Sequence, residues 1–238
     1  MATQTLSPRA TGARRTTVAM KLLMALTGLL FVFYVLMHMY GNLKVFAGQE
    51  AFDEYAHHLR TILQPILPYE GFLWIFRVVL ILSVIGHAYS AFYLWNKANG
   101  ARSTRYAVPA ASRAAWRSQT MRWGGVALIL FLIWHLIQFT TNKINVNGDV
   151  SDASIGDSPY RLVVASFQVW WVVVIYLLAL VALWFHLQHG VWSAAQTLGW
   201  TSTPAARRNS KAVAHAIAFV VAVGFALPPL FILFGVVD

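Results

Sequence analysis

Five long stretches without a charged side chain constrain this chain more than any other feature. Roughly 20 consecutive apolar residues span the hydrocarbon core of a bilayer. The chain has 238 residues, of which 58% are hydrophobic and only 11% are charged. A soluble domain carries about 25% charged residues, so this chain has too few polar residues to cover a soluble surface. The sequence therefore predicts an integral membrane protein, and the absence of cysteine excludes a disulfide scaffold.

The uncharged stretches predict an all-α protein with five transmembrane helices. The predicted spans cover residues 22–43, 72–96, 123–142, 162–192 and 212–234, in a transmembrane domain of residues 21–238 that follows a basic tail of residues 1–20. The fourth uncharged run continues to Ala206, but its second half is too polar to insert, so we expect only a helical extension to about Gly199. Pro228 and Pro229 are expected to bend or end the fifth helix. A short interfacial helix is expected over residues 52–62.

The charges between the spans predict the orientation of the chain in the membrane. One side carries thirteen basic residues and no acidic residue: Arg9, Arg14, Arg15, Lys21, Lys97, Arg102, Arg105, Arg113, Arg117, Arg122, Arg207, Arg208 and Lys211. The other side carries five basic residues and all eight acidic residues: Lys44, Arg60, Arg77, Lys143, Arg161, Glu50, Asp53, Glu54, Glu70, Asp149, Asp152, Asp157 and Asp238. The positive-inside rule then places the N-terminus in the cytoplasm and the C-terminus outside. The net charge of +10 is therefore a topology signal, and we expect no nucleic-acid partner.

Five histidines lie inside the first four spans, and four of them, one from each span, fall into two layers by depth. An ionisable residue inside a span is a functional hypothesis by default. With a rise of about 1.5 Å per residue, His38 and His135 lie roughly 24 Å and 18 Å from the cytoplasmic ends of their spans. His87 and His186 lie roughly 12 Å and 9 Å from those ends. Each pair comes from non-consecutive helices, which can face each other across a four-helix bundle, where cofactors bind.

This arrangement favours two haems, each held by two histidines on opposite sides of one iron. Small residues that allow a porphyrin to approach a helix accompany the histidines, although they also serve plain helix packing: Ala25, Thr27, Gly28, Gly86, Ala88, Ser90, Gly124 and Gly125. His189 follows His186 by three residues on the same helical face, so it is an alternative ligand or a partner for a haem propionate. The remaining histidines are interpreted as interfacial or solvated: His57, His58 and His215.

The sequence around these histidines resembles the single-chain, five-helix cytochrome b anchor of succinate dehydrogenases and fumarate reductases. The segments that carry the resemblance are 25–28 (ALTG), 38–43 (HMYGNL), His87, 131–136 (FLIWHL), 185–194 (FHLQHGVWSA) and 198–200 (LGW). The resemblance covers about residues 20–200. In that family one histidine on each of the first four helices ligates two b haems, which implies His38, His87, His135 and His186 here.

The resemblance also implies a role in a larger complex. A flavoprotein subunit oxidises succinate, and an iron–sulfur subunit passes the electrons to this chain at the cytoplasmic face of a prokaryotic membrane. The chain then reduces menaquinone or ubiquinone within the lipid. Candidate quinone or proton-handling residues lie at the two ends of the bundle: Arg122, Trp123, Trp192 and Ser193 at the cytoplasmic end, and Glu70 and Arg77 at the external end.

Other interpretations stay open at this point. The chain can be a dihaem cytochrome b of another respiratory dehydrogenase, of the hydrogenase or formate dehydrogenase type, or an anchor without a cofactor. Two of its histidines can instead ligate a Rieske-type [2Fe–2S] cluster, for which a partner would supply both cysteines. A proton-relaying transporter is disfavoured, because the spans contain no acidic residue and the sequence shows no internal repeat.

Overall fold

The computed structural model describes residues 16–100 and 113–238, and within these two ranges it contains helices and no strand. The helices are α1 (Thr17–Leu43), α2 (Gln49–Thr61), α3 (Gly71–Gly100), α4 (Arg113–Leu136), α5 (Asp152–Ile155), α6 (Pro159–Phe167), α7 (Trp170–Thr197) and α8 (Pro204–Leu233). A 3-10 turn over Lys44–Ala47 extends α1, and a π-helical turn over Ile137–Thr141 extends α4. Most of the predicted basic tail, together with Arg102 and Arg105, lies outside the described residues.

Five helices in the described part of the chain are long and apolar enough to cross a membrane. They are Thr17–Ala47, Gly71–Gly100, Gln119–Thr141, Trp170–Thr197 and Pro204–Leu233. Large apolar side chains on their outer faces are exposed, including Leu26, Leu82 and Leu178 at 60–65% exposure. Extended exposed apolar surface of this kind marks contact with lipid or another apolar partner. The predicted all-α class with five transmembrane helices is confirmed.

The fourth span begins later than the sequence predicted. Residues 162–167 belong to α6, a short helix that starts with Ser158 as its N-cap and Pro159 at its first position. The chain leaves helical geometry at Val169, and α7 begins at Trp170. The helix α6 is almost entirely buried, because it packs at the end of the bundle against α2, α7 and α8. The predicted bounds of 162–192 therefore combine the end of α6 with most of α7, which continues to Thr197.

The fifth span is longer than predicted at its beginning and is not broken by its prolines. Thr203 caps α8 by accepting a hydrogen bond from the backbone N–H of Ala206, and it lies nine residues before the predicted start of the span at residue 212. Both Pro228 and Pro229 are buried inside the helix, which continues to Leu233. Ile232 in the last turn packs with Val45 of the 3-10 turn and buried residues of α6. This packing holds the last turn in place despite the loss of backbone donors at the prolines.

The long helices form a four-helix bundle with α8 on its outside. α1 packs along α3 and α7, α4 packs along α7, and α8 packs on α7 and α1. This order places α1 diagonally opposite α4, and α3 diagonally opposite α7. Serines inside α3 satisfy their hydroxyls on their own helix, as Ser90 Oγ does by donating to Gly86 O at 2.8 Å.

The two ends of the bundle differ in charge. At one end, which we call the basic end, Lys97 Nζ donates to Thr17 Oγ1 at 2.6 Å, and Arg122 Nη1 donates to Asn99 Oδ1 at 3.4 Å. Arg207 and Lys211 lie near the start of α8 at the same end. At the opposite end, which we call the acidic end, α2 comprises residues 49–61. A short interfacial helix was expected at nearly the same place, over residues 52–62.

Asp53 of α2 links the short helices of the acidic end. Asp53 Oδ2 accepts from Ser158 Oγ at 2.6 Å, and Asp53 Oδ1 accepts from the backbone N–H of Tyr160 at 3.0 Å. The Tyr160 hydroxyl donates to the backbone oxygen of Asp238 at 2.9 Å. Burial, together with the nearby Asp238 and Asp53 carboxylates, raises the pKa of Tyr160, which keeps its hydroxyl protonated as a donor.

Candidate functional site

Two of the predicted histidines, His38 and His135, face each other in the half of the bundle nearer the acidic end. His38 lies on α1 and His135 lies on α4, the diagonal partner of α1. Their ring centroids are 5.8 Å apart and their planes are nearly perpendicular, at 84°. The ring of Tyr34 stacks on His38 at 5.3 Å, and Phe225 of α8 lies 5.7 Å from it. We call His38 and His135 the outer pair.

The Nδ1 atom of His135 is held by a buried chain of hydrogen bonds. His135 Nδ1 lies 3.1 Å from the hydroxyl of Tyr176 on α7. That hydroxyl donates to Gln138 Oε1 at 3.0 Å, so its own proton is already committed. Tyr176 therefore accepts the Nδ1 proton of His135, and this direction leaves Nε2 with a free lone pair.

The other two predicted histidines, His87 and His186, face each other nearer the basic end. His87 on α3 and His186 on α7 have ring centroids 6.2 Å apart, with planes inclined by 54°. Thr27 Oγ1 lies 3.1 Å from His87 Nδ1 and donates its own proton to Leu23 O at 2.6 Å. His87 Nδ1 is therefore also a donor, and its Nε2 is free. We call His87 and His186 the inner pair.

Two glycines give the inner pair its space. A Cβ atom on Gly28 would lie 3.3 Å from His87 Cε1, and one on Gly125 would lie 3.5 Å from His186 Cε1. Because the first of these contacts is shorter than an ordinary van der Waals contact, the imidazole of His87 packs directly on the backbone of α1. Thr27 and Gly28 thus hold one histidine by a hydrogen bond and by close approach, respectively.

The two pairs suit a metal that is bound by one imidazole from each side. Nitrogens bound at about 2 Å on opposite sides of a metal place their ring centroids about 6 Å apart, and the observed separations are 5.8 Å and 6.2 Å. A metal-ligating histidine nearly always donates its other N–H to a neighbouring acceptor, as His87 and His135 do. His186 Nδ1 is buried without a hydrogen-bond partner among the described residues. No cluster of three or more His, Asp or Glu residues that could hold a metal occurs in residues 16–100 and 113–238.

The remaining histidines are not members of these pairs. His189 is one turn beyond His186 on α7, but His186 is the residue that faces His87. His215 bonds to Gln188 across the interface between α7 and α8, and its Nδ1 donates to Lys211 O at 2.7 Å. His57 lines an open cavity of about 470 Å³ at the acidic end, which charged residues of both signs surround.

The predicted quinone residues fall into three clusters. Arg122 lies over the ring of Trp95 at 5.2 Å, and Trp123 contacts the same ring edge-on at 6.0 Å. Trp192 lies under Lys211 Nζ at 5.0 Å, with Ser193 beside it in α7.

The third cluster lies at the acidic end, around Glu70. Glu70 pairs with Arg60 at 3.0 Å and with Arg77 at 3.7 Å, and Arg77 also covers the ring of Trp74 at 4.8 Å. The structure brings Glu70 and Arg77 together, and it adds Arg60, which the sequence analysis did not single out as a candidate.

Sequence reasoning missed Tyr176 and Gln138 as parts of the site. Gln138 carried a usable signal, because it is a polar amide inside a predicted span, three residues after His135. Tyr176 carried none, since a tyrosine in a transmembrane helix is common and its partner lies on another helix.

Comparison with known proteins agrees with the resemblance. The family model described as succinate dehydrogenase/fumarate reductase transmembrane subunit matches residues 94–225, more than half of the chain, including His135 and His186. The succinate dehydrogenase cytochrome b558 subunit of Bacillus subtilis (strain 168) is 28% identical over 181 residues, which cover 74% of this chain and 77% of that protein. No solved structure matches the chain.

These matches confirm the predicted family, and they favour it over a cytochrome b of the hydrogenase or formate dehydrogenase type. With five spans and a bacterial relative, the chain is a multi-pass protein of a prokaryotic cytoplasmic membrane and a subunit of an enzyme complex. The chain belongs to the succinate dehydrogenase/fumarate reductase transmembrane subunit family, as a cytochrome b membrane subunit.

Proposed function

We propose that this subunit binds two b haems and passes electrons from an iron–sulfur partner to a membrane quinone. His38 and His135 would ligate one haem, and His87 and His186 the other. The observation that carries the proposal is the pair of opposed imidazoles in each of two layers, 5.8 Å and 6.2 Å between centroids. A haem held in this way accepts and donates one electron at a time.

The surroundings of the histidines support this role. Thr27 and Tyr176 accept the Nδ1 protons of His87 and His135, which orients each ring and makes its Nε2 a stronger ligand. Aromatic rings surround the outer pair: Tyr34, Phe131, Phe139, Tyr176 and Phe225. These rings exclude water, which supports electron transfer without exchange of protons at the histidines.

The charge distribution supports docking of the soluble partners at the basic end. We propose that this end faces the cytoplasm and carries the iron–sulfur subunit, with the flavoprotein subunit, where succinate is oxidised, beyond it. Complementary charge orients such partners and speeds their association more than it strengthens their affinity. The same basic residues also direct membrane topology, so both roles rest on one feature.

The quinone would bind at one end of the bundle. Arg122 and Trp123, grouped around Trp95, offer a hydrogen-bond donor beside flat apolar rings, which suits a quinone carbonyl and its ring. Glu70, between Arg60 and Arg77, offers a carboxylate for proton handling at the acidic end. Menaquinone and ubiquinone share the carbonyl and ring chemistry that these residues would contact.

A Rieske-type cluster is the competing cofactor. It needs two cysteines, and the chain has none. It would also use two histidines on one iron and leave the second opposed pair without a role. The pairing of all four histidines therefore favours haem.

The test is the difference spectrum, reduced with dithionite minus oxidised, of the purified complex and of two variants. His87→Ala should remove one of two b-type signals and halve the haem content, because His87 has no substitute opposite His186. His189→Ala, a matched change on the same helical face as His186, should keep both signals. Loss of the inner signal in His189→Ala but not in His87→Ala would contradict the ligand assignment. A complex without haem but with a Rieske-like electron paramagnetic resonance signal would contradict the proposed cofactor.

A further inference from the structure

A fully buried amide stands behind the outer pair. Gln138 has no exposed surface and lies in the π-helical turn Ile137–Thr141 that extends α4. Its Oε1 accepts from Tyr176, and Tyr176 contacts His135 Nδ1 at 3.1 Å. Turns of π-helix inside α-helices are rare and occur frequently at functional sites. The wider turn brings Gln138 to the same phenol that His135 contacts.

The direction of this hydrogen-bond chain decides which nitrogen of His135 carries the proton. A phenol has a single proton to donate. When Gln138 Oε1 takes that proton, the phenol oxygen must accept from His135 Nδ1–H, and Nε2 is free to bind a metal. Without the acceptor at Gln138, the phenol can donate to Nδ1 instead, which moves the imidazole proton to Nε2 and blocks that nitrogen.

The amide is costly in this position. Gln138 Nε2 is buried and has no hydrogen-bond partner among the described residues. An unsatisfied buried donor destabilises the fold, and an apolar side chain of similar shape would avoid that cost. The hydrogen bond that Gln138 Oε1 accepts from Tyr176 offsets part of that cost, so the oxygen is the functional end of the amide.

We propose that Gln138, acting through Tyr176, is a positioning residue that fixes the tautomer of His135 in which Nε2 is free to bind iron. The inference rests on the proposed function, because it takes His135 as a ligand. The inner pair provides an internal reference. There, Thr27 donates its proton to the backbone oxygen of Leu23, which no side-chain substitution removes.

The test uses the complete membrane complex and carbon monoxide, which binds a reduced haem only where an axial ligand is lost. Gln138→Met keeps the size of the side chain and removes the acceptor, so one of the two haems should bind carbon monoxide while the other does not. Gln138→Glu keeps an acceptor oxygen and should behave as the unaltered chain does. If Gln138→Glu and Gln138→Met bind carbon monoxide equally, the inference is wrong.

A second pair of variants tests the same inference if the complex with Gln138→Met does not assemble. Tyr176→Phe removes the acceptor of His135 Nδ1–H, so the outer haem should show a raised midpoint potential and be retained about tenfold or more weakly. Tyr40→Phe removes an exposed phenol two residues after His38 on the same helix, and it should leave both haems unchanged.

The outcomes separate this inference from the proposed function. If the unaltered complex holds two haems and Tyr176→Phe behaves as Tyr40→Phe does, the inference alone is overturned. An unaltered complex without haem overturns the proposed function and the inference with it.

Discussion

Single atoms decide how the inner pair is held. Thr27 and Gly28 are neighbours on α1. Thr27 offers a hydrogen-bond acceptor to His87, and Gly28 has no side chain that would obstruct the imidazole. At Gly28 the imidazole approaches the helix backbone closely, with 3.3 Å between His87 Cε1 and the place of a Cβ. The sequence shows both residues as merely small, and small residues are common wherever transmembrane helices pack.

The first prediction concerns this close approach. Gly28→Ala should move the ring of His87 by a few tenths of an ångström, shift the spectrum of the inner haem and weaken its retention. The control is Gly124→Ala, where a Cβ would meet only Ala182 O at 3.9 Å. That variant should keep both spectra, because the added Cβ would make only an ordinary contact. Alanine is also the better helix former, by about 1 kcal/mol. Haem content and difference spectra after purification check both, and equal effects would contradict the role of Gly28.

At the scale of elements, the acidic end is held by side-chain contacts between short helices rather than by the long spans. Asp53 on α2 receives two hydrogen bonds from the start of α6, and Tyr160 of α6 bonds to the last residue of the chain. The long helices need no such links, because apolar sequence and length suffice to make them span a bilayer.

The second prediction is that Asp53→Ala loosens this end without affecting the haems. The change leaves Ser158 Oγ and the backbone N–H of Tyr160 without their acceptor, which should cost about 1–3 kcal/mol. Hydrogen exchange should become faster in α2 and α6, while the difference spectrum stays the same. Glu54→Ala alters the neighbouring, exposed carboxylate and should change neither measurement. Faster exchange throughout the spans of Asp53→Ala would show that the effect is not local.

At the scale of the whole molecule, charge separates the two ends of the bundle. The thirteen basic residues of one side include Lys97, Arg122 and Lys211, which the structure places at the basic end. The carboxylates of Asp53 and Glu70 lie at the opposite end, in networks with Ser158, Tyr160, Arg60 and Arg77.

The third prediction is the orientation of this charge pattern. The chain has no cysteine, so a single introduced cysteine reports its own side of the membrane. Ala153→Cys, exposed at the acidic end, should react with an impermeant maleimide in intact cells. Ser202→Cys, exposed before α8 at the basic end, should react only in inverted vesicles. The reverse pattern would contradict the positive-inside prediction for this chain.

The sequence by itself predicted the five spans and placed four histidines, as candidate ligands, in two layers. These predictions follow from properties that are local or additive along the chain: the length of uncharged stretches and the rise of a helix per residue. The family followed from the resemblance of the segments around those histidines. The sequence did not determine where α6 ends and α7 begins, since an uncharged run does not distinguish a buried helix from a span. The tertiary structure alone decided that Tyr176 and Gln138 bond behind His135, and that Thr27 and Gly28 hold His87. The physical reason is that a hydrogen bond or a close approach between helices depends on their relative rotation and distance, which packing of the whole bundle sets.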